Sequence, residues 1–215
     1  MSSSGTTIRH PIFARVYQRV GAAAEKAGAA EHRDRLLGGL AGRVVEVGAG
    51  NGLNFAHYPH TVSEVVAVEP EPYLRARAAE AALLARVPVT VVDGAADAVP
   101  LPDQSVDAAV ASLVLCSVPD QRSALGELWR VIRPGGELRF YEHVGSDDVR
   151  LARVQQRADR VWGFFAGGCH LTRQTEAAIV AAGFEIETCE RFGFQPCWLA
   201  KLTAPHILGR ARRAV

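Results

Sequence analysis

With 215 residues, 48% of them apolar and 22% charged, and 24 Lys and Arg against 23 Asp and Glu, the chain carries a formal net charge of +1. That near-neutral balance argues against a surface that grips nucleic acid through bulk positive charge. No window approaches the roughly 18–20 apolar residues of a spanning helix; the best, 106–118, is interrupted by Asp107 and Ser112.

The first seven residues are small and polar, without the basic-then-apolar pattern of a secretory leader. The expectation is a soluble, cytoplasmic protein with no stable membrane insertion. Cys116, Cys169, Cys189 and Cys197 are scattered, with no Cys-x-x-Cys pair, so reduced thiols are expected rather than disulfides. Their spacing marks no zinc site, and His57-x-x-His60 has no third ligand near it. No metal is expected.

In chain order, residues 8–40 read as helical, with Ile8, Phe13, Val16, Tyr17 and Val20 on one stripe and an Ala-rich segment over 21–30. Strand one is Arg43–Val47, followed by a helix that Pro59 ends. Strand two is Glu64–Val68 and the next helix Tyr73–Arg86. Strand three, Val87–Val92, stops at Asp93-Gly94. Strand four is Val106–Leu113; a helix over Gln121–Val131 and an Arg-Pro-Gly-Gly turn at 133–136 lead to strand five, Glu137–Glu142. A charged helix (Asp147–Arg160) and a Gly/aromatic stretch (Trp162–Gly168) then break the rhythm. A helix over Thr172–Ala182, a strand over Phe184–Arg191 and a short last strand, Pro205–Arg212, finish the pattern. This alternation implies an α/β, doubly wound, mainly parallel sheet with helices on both faces.

The first strand carries the most information. Val44-Val-Glu-Val47 runs into Gly48-Ala-Gly-Asn-Gly52, so a buried strand ends in a turn where ligand can lie against bare backbone. Position 53, where a dinucleotide fingerprint wants its third glycine, is Leu. With Glu46 two residues before the first glycine, the segment resembles the first motif of class I S-adenosylmethionine methyltransferases. Further pieces narrow the resemblance: Val99-Pro-Leu-Pro-Asp-Gln-Ser-Val-Asp107, Leu113-Val-Leu-Cys-Ser-Val118, Arg133-Pro-Gly-Gly136, Tyr141-Glu-His-Val144, Gly168-Cys-His-Leu-Thr-Arg173 and Pro205-His-Ile-Leu-Gly209. Together they are similar to the methyltransferase-like 7, or thiol methyltransferase, branch of that class.

The resemblance implies a seven-stranded Rossmann-like sheet with its last strand antiparallel, in a single domain over 1–215. Residues 8–40 would be a helical cap, 41–144 the cofactor-binding half and 145–215 the acceptor-side half. It implies S-adenosyl-L-methionine as cofactor. Glu46 with Gly48, Ala49, Gly50, Gly52 and Asn54 would hold its methionine part, and Glu69 with Pro70 its ribose. Gly94, Ala95 and Ala96, aided by Asp93 or Asp97, would edge the adenine; Ser112 and Leu113 would lie beside the sulfonium. Glu69 before Pro70 could instead only cap a helix.

The partner implied is a small apolar acceptor, with a thiol preferred. O- or N-methylation of a metabolite or lipid headgroup, and cofactor binding without catalysis, stay open as alternatives. Tyr17, Cys116, Glu142, Trp162 and Phe165 are expected around the acceptor, with His143 taking or relaying a proton. Equally, Glu142 and His143 could simply satisfy backbone groups at a strand end. The acceptor atom and the choice between monomer and homodimer are not legible in the sequence.

Overall fold

The computed structural model describes residue 21 and residues 23–214. The whole of the expected N-terminal stripe, Tyr17 included, lies outside the described residues. The described chain starts in a π-helical turn, Glu25–Ala29, kinked at Gly28, and passes into α1, Ala30–Leu37. Ala29, Arg33, Leu36 and Leu37 are buried, a spacing of four, three and one that puts them on one helical face.

Five strands then follow: β1 (Gly42–Val47), β2 (Val62–Val68), β3 (Val89–Val92), β4 (Val106–Ser112) and β5 (Ile132–His143). The helices α2 (Pro72–Ala82) and α3 (Gln121–Val131) lie between them. After β5 come α4 (Val149–Phe165), α5 (Thr175–Ala181), β6 (Phe184–Gly193) and β7 (Pro205–Arg213). One seven-stranded sheet joins the strands in the order β3-β2-β1-β4-β5-β7-β6. The pairs among β1 to β5 are parallel, and β7 is antiparallel to both its neighbours. The expected sheet, its mainly parallel sense and its antiparallel last strand are all present.

The near-continuous Val and Ala of β1, β2 and β4 are what a strand covered on both faces requires. One face carries Val45, Val47, Ala109, Leu125, Leu128 and Phe140. The other carries Leu36, Leu37, Val44, Phe55, Tyr58 and Tyr141.

Four expectations about elements need correction. No helix follows β1; there is only a 3₁₀ turn, Phe55–His57. Six residues separate Gly52 from Pro59, and Asn54, Phe55 and Tyr58 are drawn inward and buried, leaving no length for a second turn. The 133–136 stretch is not a separate turn but a bulge inside β5, which pairs from Ile132 onward with a register shift against β4. The Gly/aromatic stretch is also largely helical: Trp162, Phe164 and Phe165 form the last turn of α4. β7 runs one residue past its expected end, to Arg213.

Gly209, in the middle of β7, lies where three strands meet. A Cβ there would stand 2.1 Å from the Thr188 carbonyl oxygen and 2.6 Å from Phe140. Gly209→Ala is therefore expected to destabilise the fold by about 1–3 kcal/mol, the usual cost of overpacking. The measurement is the urea midpoint; an unchanged midpoint would show that β6 can move aside freely.

Candidate active site

The sheet reverses direction of winding between β1 and β4, and an open α/β sheet takes ligands at such a point, beyond the carboxyl ends of its strands. The glycine loop lies there. Gly48, Gly50 and Gly52 have φ of 61°, 57° and 81°, a region that a side chain makes costly. The loop is also tightly seated: a Cβ on Gly48 would be 2.3 Å from Val114, and one on Gly52 2.7 Å from Phe55. Ala49 donates its N–H to the Val68 carbonyl at 3.2 Å, tying the loop to the end of β2.

Glu69, just past β2, is 5% exposed. One carboxylate oxygen accepts the Gly50 N–H at 2.7 Å and the other the Glu71 N–H at 2.9 Å. Each oxygen keeps a lone pair, so the pair of acceptors fits two vicinal ribose hydroxyls. The helix-cap alternative belongs to a different residue: Glu71 is the N-cap of α2 and accepts the Leu74 N–H at 2.8 Å. The carbonyls of Glu69 and Pro70 are held by Arg75 at 2.9 and 3.0 Å. Burial pushes the Glu69 carboxyl up to about 7, against the pull of its two N–H donors.

Glu46 is 2% exposed and its two oxygens accept from Asn54 Nδ2 at 2.8 Å and Tyr58 Oη at 2.7 Å. Asn54 Oδ1 in turn accepts from Arg33 Nη1 at 2.6 Å, and Arg33 Nε pairs with Glu25 at 2.8 Å. The same Arg33 nitrogen is 3.5 Å from Ser112 Oγ at the end of β4. Burial raises the Glu46 carboxyl to about 7 as well. Arg33 and Tyr58 were missed in the sequence. Arg33 stands in the charged run Glu31–Arg35, yet its spacing from Ala29, Leu36 and Leu37 was a signal that it faces inward.

Beyond β3, a tight turn closes with a bridge between Ala95 and Ala98, and Ala96 is buried. A Cβ on Gly94 would be 2.9 Å from Pro100 and Val68. Neither candidate acid points inward: Asp93 pairs with Arg75 at 2.9 Å with 74% of its side chain exposed, and Asp97 is exposed. An adenine edge here has backbone as its ready partner.

The turn after β4 is set by Glu142. Its carboxylate accepts the N–H groups of Val114, Leu115 and Cys116 at 3.1, 2.9 and 3.0 Å and has no exposed surface. Three backbone donors thus occupy Glu142, which matches the strand-end alternative rather than a place in the lining of an acceptor pocket. Leu113, which enters the turn, has a φ of 58°, and its N–H donates to the Tyr141 carbonyl at 2.7 Å.

His143 is half-buried and its Nδ1 faces two thiols, Cys116 Sγ at 3.7 Å and Cys169 Sγ at 3.6 Å. Hydrogen bonding with Cys116, then with His143, holds the Cys169 thiol below the usual thiol range in spite of its burial. The rings of His206, Tyr141 and Phe192 stack beside this group, and the His143 ring meets His206 edge-on with centroids 4.6 Å apart. The fold thus brings Cys116 and His143 together, and Trp162 lies beside Cys169. Phe165 is not drawn in: at 71% exposure it points away at the end of α4. Cys169 and His206 were missed, since only the folded chain brings positions 116, 143, 169 and 206 to one place.

Residues 45–140 match the family model described as a methyltransferase domain. The chain is 38% identical over 176 residues to thiol S-methyltransferase TMT1B of Rattus norvegicus, covering 78% of this chain and 69% of that protein. To thiol S-methyltransferase TMT1A of Homo sapiens it is 35% identical over 173 residues, covering 78% and 69%. Among solved structures, a methyltransferase of Thermotoga maritima, described as a possible histamine N-methyltransferase, superposes with a TM-score of 0.70. It is 23% identical, with 94% of this chain and 98% of that one covered, so it speaks to the fold alone.

The two neighbouring glutamates separate binding from capping. Glu69→Ala is expected to weaken S-adenosylhomocysteine binding at least about tenfold, since hydrogen bonds to a charged group contribute about 1.5–3 kcal/mol. Glu71→Ala should spare binding and cost about 0.5–2 kcal/mol of stability, as other lost caps do. Because ribose hydroxyls donate to the carboxylate, wild-type binding should tighten as pH rises toward about 7 and then level off. Over the same range, from about 4.5 to about 7, the ligand-free fold should lose stability, because the native state still holds a proton that the unfolded chain has released. Calorimetric titration across pH reads the first effect, and an equal slope in Glu69→Gln would assign it elsewhere.

Proposed function

Since the chain belongs to the thiol S-methyltransferase family within the class I S-adenosylmethionine-dependent methyltransferases, we propose that it methylates the sulfur of a small apolar thiol. The observation that carries this reading is the placing of the acceptor end. The turn that packs against the glycine loop through Val114 continues directly into Cys116, beside His143, Cys169 and an aromatic wall.

Bound S-adenosylmethionine supplies an electrophilic methyl group on a positively charged sulfur. The residues of this chain bind, orient and keep out water. Glu69 and the Gly50 backbone take the ribose; Arg33, Asn54 and Glu46 form the polar end for the amino-acid portion, and Ser112 and Leu113 close the crevice next to β4. Holding two reactants in line can supply about 7–11 kcal/mol of a displacement barrier. Phe192, half-buried, presents ring surface, with Tyr141 and His206 stacked and buried behind it. His206 adds no charge near neutral pH, because burial lowers its pKa to about 3.

A thiol acceptor suits this site because it needs no strong base: a few per cent is already thiolate near neutral pH. In keeping with that, the carboxylate nearest to His143 in sequence, Glu142, is fully engaged by backbone. The cysteines Cys116, Cys169, Cys189 and Cys197 are free thiols, which fits work in a reducing compartment such as the cytoplasm. Among the described residues no helix is long and apolar enough to cross a membrane.

The test is an acceptor panel. With purified protein and S-adenosylmethionine, an alkyl thiol should yield its methyl thioether and S-adenosylhomocysteine in equal amounts. Phenols and amines of similar size should react at least about tenfold more slowly, because near neutral pH a phenol is scarcely ionised and an amine is almost wholly protonated. A phenol or amine that outpaces every thiol would overturn the thiol assignment.

A further inference from the structure

Three side chains at the acceptor end have a use that positioning alone does not explain. The Sγ atoms of Cys116 and Cys169 and a ring nitrogen of His143 all lie within 4.8 Å of one another, with Nδ1 at 3.7 and 3.6 Å from the two sulfurs. Tetrahedral zinc, with Zn–S near 2.3 Å and Zn–N near 2.0–2.1 Å, puts its sulfur and nitrogen ligands about 3.6 Å apart. The two sulfur–nitrogen separations already have that length.

The ligands come from three elements, and each is fixed from behind. Cys116 has its N–H on Glu142 at 3.0 Å and its carbonyl on the His170 N–H at 2.9 Å. His143 is the last residue of β5 and is paired in register with His206 of β7. Cys169 donates its N–H to the Ala166 carbonyl at 3.1 Å, and Gly168 before it to Gly163 at 2.8 Å. A pair of cysteines poised only to form a disulfide would need no third donor. Here the imidazole nitrogen approaches both sulfurs at nearly equal distance, so the three donors surround a point. Two sulfurs and an imidazole select zinc among abundant divalent ions over magnesium or calcium, which prefer oxygen.

We propose that Cys116, His143 and Cys169 bind a zinc ion whose fourth position takes the acceptor sulfur. This rests on the thiol reading above only for the fourth position; the metal site itself does not need it. Three protein ligands and one open position are the composition of a catalytic zinc site rather than a structural one. A thiol that coordinates loses its proton to solvent and is held as thiolate. Its lone pair then forms the new S–CH3 bond while the electron pair of the old one stays with the cofactor sulfur, giving a thioether and S-adenosylhomocysteine. The Trp162, Tyr141, Phe192 and His206 rings around the cluster would receive the acceptor's apolar part.

The experiment uses the full chain. Purified reduced protein is expected to hold about one zinc per chain by elemental analysis. Replacing zinc with cobalt should give the thiolate-to-cobalt charge-transfer absorption and intense visible bands of a tetrahedral site. Cys116→Ser and Cys169→Ser should each remove most of that absorption, while Cys197→Ser, exposed and outside the cluster, should leave it. Adding mercaptoethanol to the cobalt protein should shift the bands.

Turnover of the zinc protein should change little with pH through the neutral range. Chelator-treated protein should instead follow the ionisation of the free thiol, rising toward about 8.5. Wild-type protein that takes up no cobalt, or in which Cys116 and Cys169 are recovered only as a disulfide, overturns the site. Cobalt bands indifferent to every thiol overturn the role of its open position. Thiol methylation at an undiminished rate in metal-free protein also overturns that role while leaving the methyltransferase reading standing. If instead zinc-loaded protein methylates no thiol, the function fails and the cobalt spectrum still decides the site.

Discussion

The carboxylate of Glu142 is the contact on which both halves of the site depend. It is fully buried at the end of β5 and accepts three successive backbone N–H groups from the turn after β4. Hydrogen bonds of this kind, to a charged group, contribute about 1.5–3 kcal/mol each. An unpartnered buried carboxylate would cost several kcal/mol, so the turn and the acid each need the other. Fixing Val114 seats the glycine loop, because Gly48 packs directly on it. Fixing Cys116 sets the place of the Cys116–His143–Cys169 group. One side chain therefore holds the glycine loop and that group at a constant separation.

Three buried glutamates, Glu46, Glu69 and Glu142, stand at the ends of β1, β2 and β5, and burial raises each to about 7. They differ in what satisfies them. Glu142 is met by backbone alone, Glu46 by Asn54 and Tyr58 side chains, and Glu69 by two backbone groups with capacity left over. That ordering runs from structural to functional. Glu46 sits between: the chain Glu25–Arg33–Asn54–Glu46–Tyr58 ties α1 to β1 and also lines the polar end of the crevice.

Much of this was legible beforehand, and the reasons are local. The strands were readable because a strand covered on both faces has to be an unbroken apolar run, and the glycine loop because positive φ leaves few residue choices. Glu69 was readable from its place after a strand, but its separation from the cap residue Glu71 was not, since both acids flank Pro70 in the same way. The helix after β1 was misjudged because the inward pull of Asn54 and Tyr58 on Glu46 is a tertiary effect with no periodic signature. Phe165 is not legible because an aromatic at a helix end carries no sign of which way the ring points, and for Glu142 the sequence leaves ligand and backbone as equal partners, a choice that only the tertiary placing of the turn after β4 decides. The Cys116–His143–Cys169 cluster was invisible because its members are 27 and 26 positions apart, outside any spacing that a short motif can express.

The insertion of β7 between β5 and β6 makes one register decide two contacts. Among the described residues β6 has no sheet neighbour other than β7, so its place is inherited from the pairing of β7 with β5. That pairing also delivers His206 to His143. A slip of β7 by one residue would turn its side chains to the opposite face, so the same error would carry His206 away from His143 and displace β6 with it.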